Sequence, residues 1–287
     1  MLEIQHLTKY YGKIRGVEDL SLRLAAGEVF GFIGPNGAGK STTIRCIMNL
    51  VSKTQGKVLV NREEFNKDDT TIKAKIGYLP SEVRLYDDLT VHEMLDYHAS
   101  FYPQNLNKRR RKLVELFALD ESKKIEDLSL GNTKKLGIIL AFMHNPKLLI
   151  LDEPTSGLDP IMQQKFYNLI REEKQKGTTI FYSTHILSEI SRVCDRVGII
   201  KNGRLLEVET VDELHQKGLN YITLESPAID RIIARLGLKD YERDANQIKF
   251  RDNISPNELI KTLSEFDITK ILIEEVTLEE VFLHYYK

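Results

Sequence analysis

A glycine-rich run that ends in a lysine and a serine has the clearest chemistry in this sequence. It reads Gly34-Pro35-Asn36-Gly37-Ala38-Gly39-Lys40-Ser41. An apolar run at 29–33 precedes it, and a helix-like segment from Lys40 to about Val51 follows it. In that order, backbone N–H groups turn inward around phosphate oxygens, Lys40 reaches the β and γ phosphates, and the Ser41 hydroxyl is a ligand for Mg²⁺. A plain glycine turn requires neither Lys40 nor Ser41, so the pattern predicts a nucleotide-phosphate site.

Two adjacent carboxylates supply the second part of the same chemistry. Asp152 and Glu153 follow the apolar run 148–151, which is typical of a buried strand. Ligands of open α/β sheets bind at the carboxyl ends of the strands, so both side chains are expected near the phosphates. There Asp152 can hold Mg²⁺, and Glu153 can polarise the water that attacks the γ phosphate. A solvated strand end is the weaker alternative, given the glycine-rich loop upstream.

The elements that must position these residues belong to an α/β fold. Strand-like runs at 148–151, 179–182 and 197–200 are separated by helix-length segments, which predicts a mostly parallel sheet. The beginning of the chain alternates apolar and polar positions, as half-buried antiparallel strands do. A segment from about 88 to 145 is helical, and a capping box at Thr90 opens its first helix. The expected architecture is a parallel sheet with an antiparallel β layer and a helical insertion.

Composition limits the classes of protein that remain. The chain has 287 residues, of which 41% are hydrophobic and 29% charged, and this is typical of a globular protein with one large domain and an accessory one. A formal net charge of −1 provides no overall field for nucleic acid or an anionic membrane. Two cysteines, Cys46 and Cys194, favour a reducing cytosol. No uncharged stretch reaches the roughly 18 residues of a spanning helix, so the chain alone is not expected to cross a membrane.

Five consecutive basic residues, Lys108 to Lys112, form the densest charge in the chain. Apolar residues follow at helical spacing, so the run is interpreted as the solvated part of an amphipathic helix. A contact with lipid headgroups or with an acidic partner is the alternative.

A smaller domain is expected after about residue 215. For 216–287 the sequence predicts a strand, a helix (229–236), two strands (the second at 247–251), a helix (256–266), a strand (269–273) and a last helix from Leu278. That order is the split βαβ of a ferredoxin-like unit.

An ordered set of short motifs resembles the ATP-binding-cassette (ABC) family over nearly all of residues 1–215. In addition to the two motifs above, the set includes a signature-like segment (Leu128-Ser129-Leu130-Gly131-Asn132), a D-loop-like segment ending at Asp159, a switch-like histidine (His185) and an adenine-stacking aromatic (Tyr11). The resemblance implies a P-loop NTPase fold with a helical subdomain at about 88–145. It also implies an ATPase that uses ATP and Mg²⁺.

The resemblance assigns a role to each matching residue. Two cassettes would pair head to tail and enclose ATP between the phosphate loop of one and the signature of the other. The nucleotide-binding residues would be Tyr11, Gly34, Pro35, Asn36, Gly37, Ala38, Gly39, Lys40, Ser41 and Thr42. The metal ligands would be Ser41 and Asp152, the catalytic residues Glu153 and His185, the signature acting in trans Ser129, Leu130, Gly131 and Asn132, and the D-loop residue Asp159.

Several of these residues have a plain structural alternative. Tyr11 could be ordinary packing on a β layer. Ser129 is a good helix N-cap whether or not it also contacts phosphate. Asp159 precedes a proline and is cap-like, so its D-loop role depends on the resemblance. A lone histidine at a strand end is more often structural, but the two carboxylates on the adjacent strand favour the catalytic interpretation of His185.

The sequence departs from the family pattern at two places. Leu130 stands where the family signature usually has glycine, so the docking geometry of ATP is expected to differ there. Ser81 stands at the Q-loop position that is commonly glutamine, and Glu82 follows it. A serine hydroxyl cannot reach as far as an amide, so either Glu82 substitutes for the glutamine or the coupling differs.

The motifs and the tail together favour the ATP-hydrolysing subunit of a membrane exporter. The segment from Glu274 to Tyr286 resembles the ending of bacterial exporter ATPases of the drug, lantibiotic and sodium export type, whose membrane-spanning permease is a separate chain. This implies a protein on the cytoplasmic face of the cell membrane, with a permease and a second cassette, identical or sister, as partners and with no nucleic acid.

Two other functions are weaker alternatives. A soluble ABC ATPase that acts on ribosomes or nucleic acid is disfavoured, because translation-type members carry two cassettes in one chain. A plain binding module would leave Glu153 idle. The transported substance is not readable from the sequence, since its contacts would lie in the permease.

Overall fold

The structure is a computed structural model that describes residues 1–217, 220–252 and 254–274. The chain divides into two compact units, Met1–Thr210 and Val211–Lys287. The helix expected from Leu278 and the tail motif beyond Glu274 lie outside the described residues. None of the helices in the described ranges is long and apolar enough to span a membrane.

The first unit contains two sheets and the helices that pack on them. In chain order its elements are β1 (Leu2–Tyr11), β2 (Ile14–Leu24), β3 (Val29–Ile33), α1 (Lys40–Ile47), β4 (Gln55–Val60), β5 (Glu63–Glu64), α2 (Thr70–Lys73), β6 (Ile76–Leu79), α3 (Val91–Ala99), α4 (Asn107–Phe117), α5 (Leu130–Phe142), β7 (Leu148–Asp152), α6 (Pro160–Gln175), β8 (Thr179–Thr184), α7 (Leu187–Val193), β9 (Arg196–Lys201) and β10 (Arg204–Thr210).

The larger sheet has six strands in the order β10-β9-β3-β8-β7-β6. All neighbours are parallel except β10, which pairs with β9 antiparallel. Strands β3, β7 and β8 are buried along their whole length, as expected for parallel strands covered on both faces. Their carboxyl ends meet at one edge, because Ile33 pairs with Thr184 and Asp152 pairs with Ser183. That edge carries the glycine-rich loop and the two carboxylates.

The smaller sheet is antiparallel, in the order β2-β1-β4-β5. Its inward side chains alternate with exposed ones, as the apolar periodicity predicts, and they share a core with α1. The predicted α/β class, with a mostly parallel sheet, an antiparallel layer and a helical insertion, is therefore confirmed.

Helix α1 is shorter than the sequence predicts. It ends at Ile47 instead of continuing to about Val51. Asn49 takes a left-handed φ of 54°, and the N–H of Leu50 donates to the carbonyl of Arg45 at 2.8 Å. This is a Schellman closure, which satisfies the last carbonyls of the helix and turns the chain away.

The helices α3, α4 and α5 have one apolar core with the parallel sheet. The capping box at Thr90 is confirmed, because its side chain accepts from the N–H of Glu93 and the Glu93 carboxylate accepts from the N–H of Thr90. The solvated interpretation of the basic run is wrong for Arg110, which is buried. Its guanidinium donates to the carboxylates of Asp96 and Glu121, and such pairing makes the burial of the charge tolerable.

The second unit has its own apolar core and sheet. Its elements are α8 (Val211–Lys217), β11 (Asn220–Glu225), α9 (Ile229–Leu236), β12 (Tyr241–Asp244), β13 (Gln247–Asp252), α10 (Pro256–Leu263) and β14 (Lys270–Glu274). The antiparallel sheet has the order β12-β13-β11-β14, and α9 and α10 contribute to the core beneath it. From β11 onward the order of elements is β-α-β-β-α-β, the split βαβ arrangement.

Candidate functional site

The glycine-rich loop connects β3 to α1 at the carboxyl edge of the parallel sheet. Gly39 has a φ of 111°, and a Cβ there would lie 2.6 Å from the carbonyl oxygen of Gly16. Only glycine fits that conformation and that approach. Helix α1 begins at Lys40, and Gly39 precedes it without a side-chain cap. The first N–H groups of α1 are therefore available to a bound anion, and the helix dipole favours one there.

Lys40 is held inside the loop by hydrogen bonds and one ion pair. Its side chain is buried, and Nζ donates to the carbonyl of Gly34 at 2.7 Å and to that of Pro35 at 3.3 Å. Nζ also lies 3.4 Å from Glu153 Oε1. A phosphate that enters the loop finds a positive charge already placed at its centre.

Asp152 lies at the end of β7, close to the start of α1. Ser183 Oγ donates to Asp152 Oδ1 at 3.0 Å. Burial raises the pKa of Asp152, while hydrogen bonds from Ser41 and Ser183 oppose that rise. The hydroxyl of Ser41 and the carboxylate of Asp152 are thus adjacent oxygen ligands. They fit Mg²⁺, which usually takes one or two protein oxygens and completes its shell with phosphate and water.

Glu153 stands between a lysine and a histidine. Its Oε2 lies 2.8 Å from Nδ1 of His185, and its Oε1 faces Lys40. The backbone of Glu153 is left-handed, with a φ of 47°, and its N–H donates to the carbonyl of Ser183 at 3.0 Å. A non-glycine residue in this conformation is strained, and such strain is concentrated at functional sites. The structure therefore brings together the catalytic pair that the sequence predicts.

A cleft of about 430 Å³ lies above the loop. Its lining residues are Tyr11, Ile14, Arg15, Gly16, Asn36, Gly37, Gly39, Lys40, Ser41, Thr42, Ser81 and Glu153. Tyr11 at the rim of the cleft is 43% exposed, and Lys9 Nζ lies over one face of its ring, 4.7 Å from the ring centroid. No sequence motif marks Ile14, Arg15 or Gly16, because only the packing of β2 against the loop brings them to the cleft.

The signature-like segment lies elsewhere. Within the described chain, the residues that line the cleft do not include Ser129, Leu130, Gly131 or Asn132. Ser129 caps α5, with its side chain accepting from the N–H of Asn132 at 3.4 Å. Leu130 is 76% exposed, and a Cβ on Gly131 would lie 2.9 Å from the carbonyl oxygen of Gly157. Asp159 caps α6 by accepting from the N–H of Met162 at 2.9 Å.

The two residues at the Q-loop position, Ser81 and Glu82, have different surroundings. Ser81 lines the cleft, whereas Glu82 is exposed and pairs with Arg84 at 3.0 Å. A buried lysine that sequence analysis missed lies behind Ser81. Lys134 Nζ donates to the carbonyl of Ser81 at 2.9 Å and to that of Pro80 at 3.3 Å. Burial lowers the pKa of Lys134 to about 8, and the charges of the two site carboxylates partly oppose this.

The fold and the site together define a P-loop ATPase of the cassette type. A phosphate loop with its lysine, the loop serine Ser41 beside Asp152, and a glutamate beside a histidine meet at the carboxyl edge of one parallel sheet.

Comparison with known proteins identifies the family. The family model described as "ABC transporter" matches residues 17–156. The chain is 34% identical, over 99% of its length and 96% of the relative's, to "Bacitracin transport ATP-binding protein BcrA" of Bacillus licheniformis. It is 38% identical, over 75% of its length and 70% of the relative's, to "Linearmycin resistance ATP-binding protein LnrL" of Bacillus subtilis (strain 168). The chain belongs to the ABC transporter ATP-binding proteins and is an ATPase subunit of a transporter.

Solved structures show the same fold. "Structure of ATP binding subunit of ABC transporter" covers 76% of this chain and 92% of that one, with a TM-score of 0.71 and 33% identity. "Dimeric Structure of MJ0796, a Bacterial ABC Transporter Cassette" covers 74% of this chain and 99% of that one, with a TM-score of 0.67 and 26% identity. The predicted family and cassette fold are confirmed.

Proposed function

We propose that this chain is the ATP-hydrolysing subunit of an exporter, bound at the cytoplasmic face of the membrane to a separate membrane-spanning permease. One observation carries the proposal: the similarity to a bacitracin transport ATP-binding protein extends over 99% of this chain and therefore includes the second unit. The relatives named for bacitracin transport and linearmycin resistance support a substrate of the kind that those two names give.

Each site residue has a separate role in ATP hydrolysis. Loop N–H groups and the α1 N-terminus bind the phosphates, and Lys40 neutralises the charge that develops on the β and γ oxygens. Mg²⁺, held by Ser41 and Asp152, supplies further charge neutralisation when bound. Glu153 orients the attacking water and accepts its proton. His185, hydrogen-bonded to Glu153, contacts the γ phosphate, and Tyr11 stacks on the adenine.

A second cassette completes the site. Ser129 and Leu130 are exposed, and they lie outside the cleft of their own chain within the described residues. A helix N-terminus whose serine hydroxyl accepts from Asn132 but still has its own O–H to donate suits a phosphate that arrives from another molecule. The dimeric cassette named above supports a pair of cassettes, and we propose two copies of this chain arranged head to tail. Leu130 then covers the ATP with a side chain in place of open backbone.

An exposed aromatic cluster is the candidate permease contact. Tyr86, Tyr97 and Phe101 are 56%, 45% and 62% exposed. The Tyr97 ring centroid lies 5.8 Å from that of Tyr86 and 5.0 Å from that of Phe101. Clustered exposed aromatics mark protein interfaces. The cluster begins five residues after Ser81, so a partner bound there contacts the segment that reaches the cleft.

The test is to identify the partner directly. Tagged Glu153→Gln protein is expressed in its native host, given ATP and Mg²⁺, solubilised in mild detergent and purified for mass spectrometry. A chain with several spanning helices should be enriched. Adding Tyr97→Ala/Phe101→Ala to the Glu153→Gln protein should lose that chain, and the same two substitutions in the otherwise wild-type protein should leave its ATP hydrolysis in place. Recovery of ribosomal proteins or nucleic acid, with no membrane chain, would overturn the exporter in favour of a soluble ABC ATPase.

A further inference from the structure

A buried carboxylate behind the site accepts hydrogen bonds from four hydroxyl groups. Glu189 lies in the first turn of α7 and is only 2% exposed. Its Oε1 accepts from Thr155, and from Tyr167 at 3.3 Å. Its Oε2 accepts from Tyr182 at 3.1 Å and from Thr184 at 2.6 Å. Both oxygens are therefore fully used.

The partners of this carboxylate are hydroxyl groups and not a cation, within the part of the chain that the structure describes. Burial, followed by the nearby charge of Glu189, raises the pKa of Tyr167 to about 12 and that of Tyr182 well above its usual range. Both phenols thus stay protonated and donate. A buried network in which every member is satisfied is rigid and sets one arrangement of the surrounding chain.

The network joins the two segments that carry the catalytic pair. Thr155 is two residues after Glu153, in the loop that connects β7 to α6. Thr184 immediately precedes His185, and its Oγ1 also accepts from the N–H of Ile186 at 3.0 Å. One carboxylate therefore fixes the loop after Glu153 and the turn around His185 at the same time.

The site needs such a restraint. Glu153 has a left-handed φ of 47°, which a non-glycine residue keeps only when its surroundings hold it. His185 is about half exposed, so few contacts of its own fix the ring. The 2.8 Å approach of Glu153 to His185 depends on the relative position of the two loops, and Glu189 is bonded to both loops.

We propose that Glu189 is a positioning residue for hydrolysis: it locks the loop after β7 to the turn after β8 so that Glu153 and His185 face one γ phosphate. The inference rests on the roles proposed above for Glu153 and His185. Because the hydrogen bonds of Glu189 go to Thr155, Tyr167, Tyr182 and Thr184 and not to the loop 34–42, its loss should lower kcat and leave ATP affinity in place.

The first variants remove one acceptor or one donor. Glu189→Gln presents an amide NH₂ to hydroxyls that require an acceptor. Thr184→Val removes one hydroxyl, and Thr184→Ser restores it. We expect kcat to fall at least about tenfold in Glu189→Gln and Thr184→Val, KM for ATP to stay within about twofold, and Thr184→Ser to recover most of the rate.

A matched control separates positioning from folding. Glu173 is buried to the same degree, at 1% exposure, but its partners are the cations of Arg109 and Lys176, neither of which belongs to the site. Glu173→Gln should lower the thermal midpoint and leave kcat within about twofold. If Glu189→Gln does not fold, the Thr184→Val and Thr184→Ser pair decides the question.

A double-mutant cycle completes the test. If Glu189 acts through His185, then Glu189→Gln should cost little additional rate once His185→Ala is present. Fully additive losses, or a KM that rises as much as kcat falls, would overturn the positioning role. The proposed function fails in a different way: His185→Ala alone would then keep the wild-type rate, whatever Glu189→Gln does.

Discussion

The phosphate loop and the signature-like segment are both glycine-containing stretches at the start of a helix, yet their surroundings differ. The phosphate loop buries Lys40, whose ammonium is bonded to loop carbonyls and to Glu153. In the signature-like segment Leu130 is exposed and Ser129 caps α5. The phosphate loop lines the cleft of its own chain, whereas no signature residue lines that cleft in the described structure. Under the proposed function, the exposed helix N-terminus at Ser129 therefore belongs to the site of a second chain.

The largest expected effect comes from removing the carboxylate of Glu153, beside the phosphate loop. Glu153→Gln retains the shape of the side chain but cannot accept a proton, so phosphate release should fall by about a hundredfold or more. ATP binding should remain, because Lys40 and the loop N–H groups are untouched. The measurement is steady-state phosphate release with fluorescent-nucleotide binding in parallel. The exposed Glu64→Gln is the control, and an unchanged rate in Glu153→Gln would contradict the base role.

The next largest effect is expected from blocking the signature-like segment. Ser129→Arg places a long cation at the exposed start of α5, where it blocks a phosphate from a second chain. We expect at least a tenfold loss of turnover with unchanged ATP affinity, because no signature residue lines the cleft of its own chain in the described structure. Titration with a fluorescent ATP analogue and phosphate-release assays measure the two quantities. A large loss of ATP affinity would mean that the segment acts within its own chain.

A third prediction concerns Lys134, which connects α5, the helix that follows Ser129, to the wall of the cleft. Its Nζ donates to the carbonyl of Ser81, and Ser81 lines the cleft. Because burial lowers its pKa to about 8 in the folded chain, the unfolded chain binds more protons above that pH. The Lys134 contribution to the free energy of unfolding should therefore rise from pH 8 toward 10, by at most about 1.4 kcal/mol per unit.

Denaturant unfolding at several pH values tests this sign. The unfolding free energy of the wild type minus that of Lys134→Met should increase with pH, because the variant lacks the titrating group. Lys135→Met, the adjacent lysine, is the control and should show no such trend. A difference that shrinks with rising pH would contradict the assignment.

The smallest effect separates capping from function at Ser129. Ser129→Ala removes the acceptor for the N–H of Asn132 and should destabilise the fold by about 1 kcal/mol. Asp159→Ala, at the start of α6, should cost a similar amount. Thermal unfolding of both variants measures this, and Ser129→Gly, which costs only a few tenths of a kcal/mol as a cap, tests whether any loss of turnover has a different cause.

The sequence pattern was sufficient to predict those parts of the site that are contiguous in the chain. The phosphate loop is contiguous, and its strand-loop-helix order is written in the apolar run before it and the helix-like segment after it. Asp152 and Glu153 follow a buried strand, and the carboxyl ends of parallel strands must share an edge. The same rule brings His185 to them, since β8 lies beside β7.

The rest depends on contacts between distant segments, which periodicity does not encode. Glu189 meets Thr155 across 34 positions of sequence, and Lys134 meets Ser81 across 53. Helical periodicity predicts a solvated Arg110, because its acidic partners Asp96 and Glu121 lie on other segments of the chain. The early end of α1 required knowledge that Asn49 adopts a left-handed conformation.

The most direct test of a site built from two chains is a mixing experiment. Lys40→Ala and Ser129→Arg proteins are each purified, shown to be inactive alone, and combined in equal amounts. Half of the randomly formed pairs then contain one site with an intact loop from one chain and an intact signature from the other, so about a quarter of the wild-type phosphate release should return. A mixture as inactive as its two components would contradict the composite site.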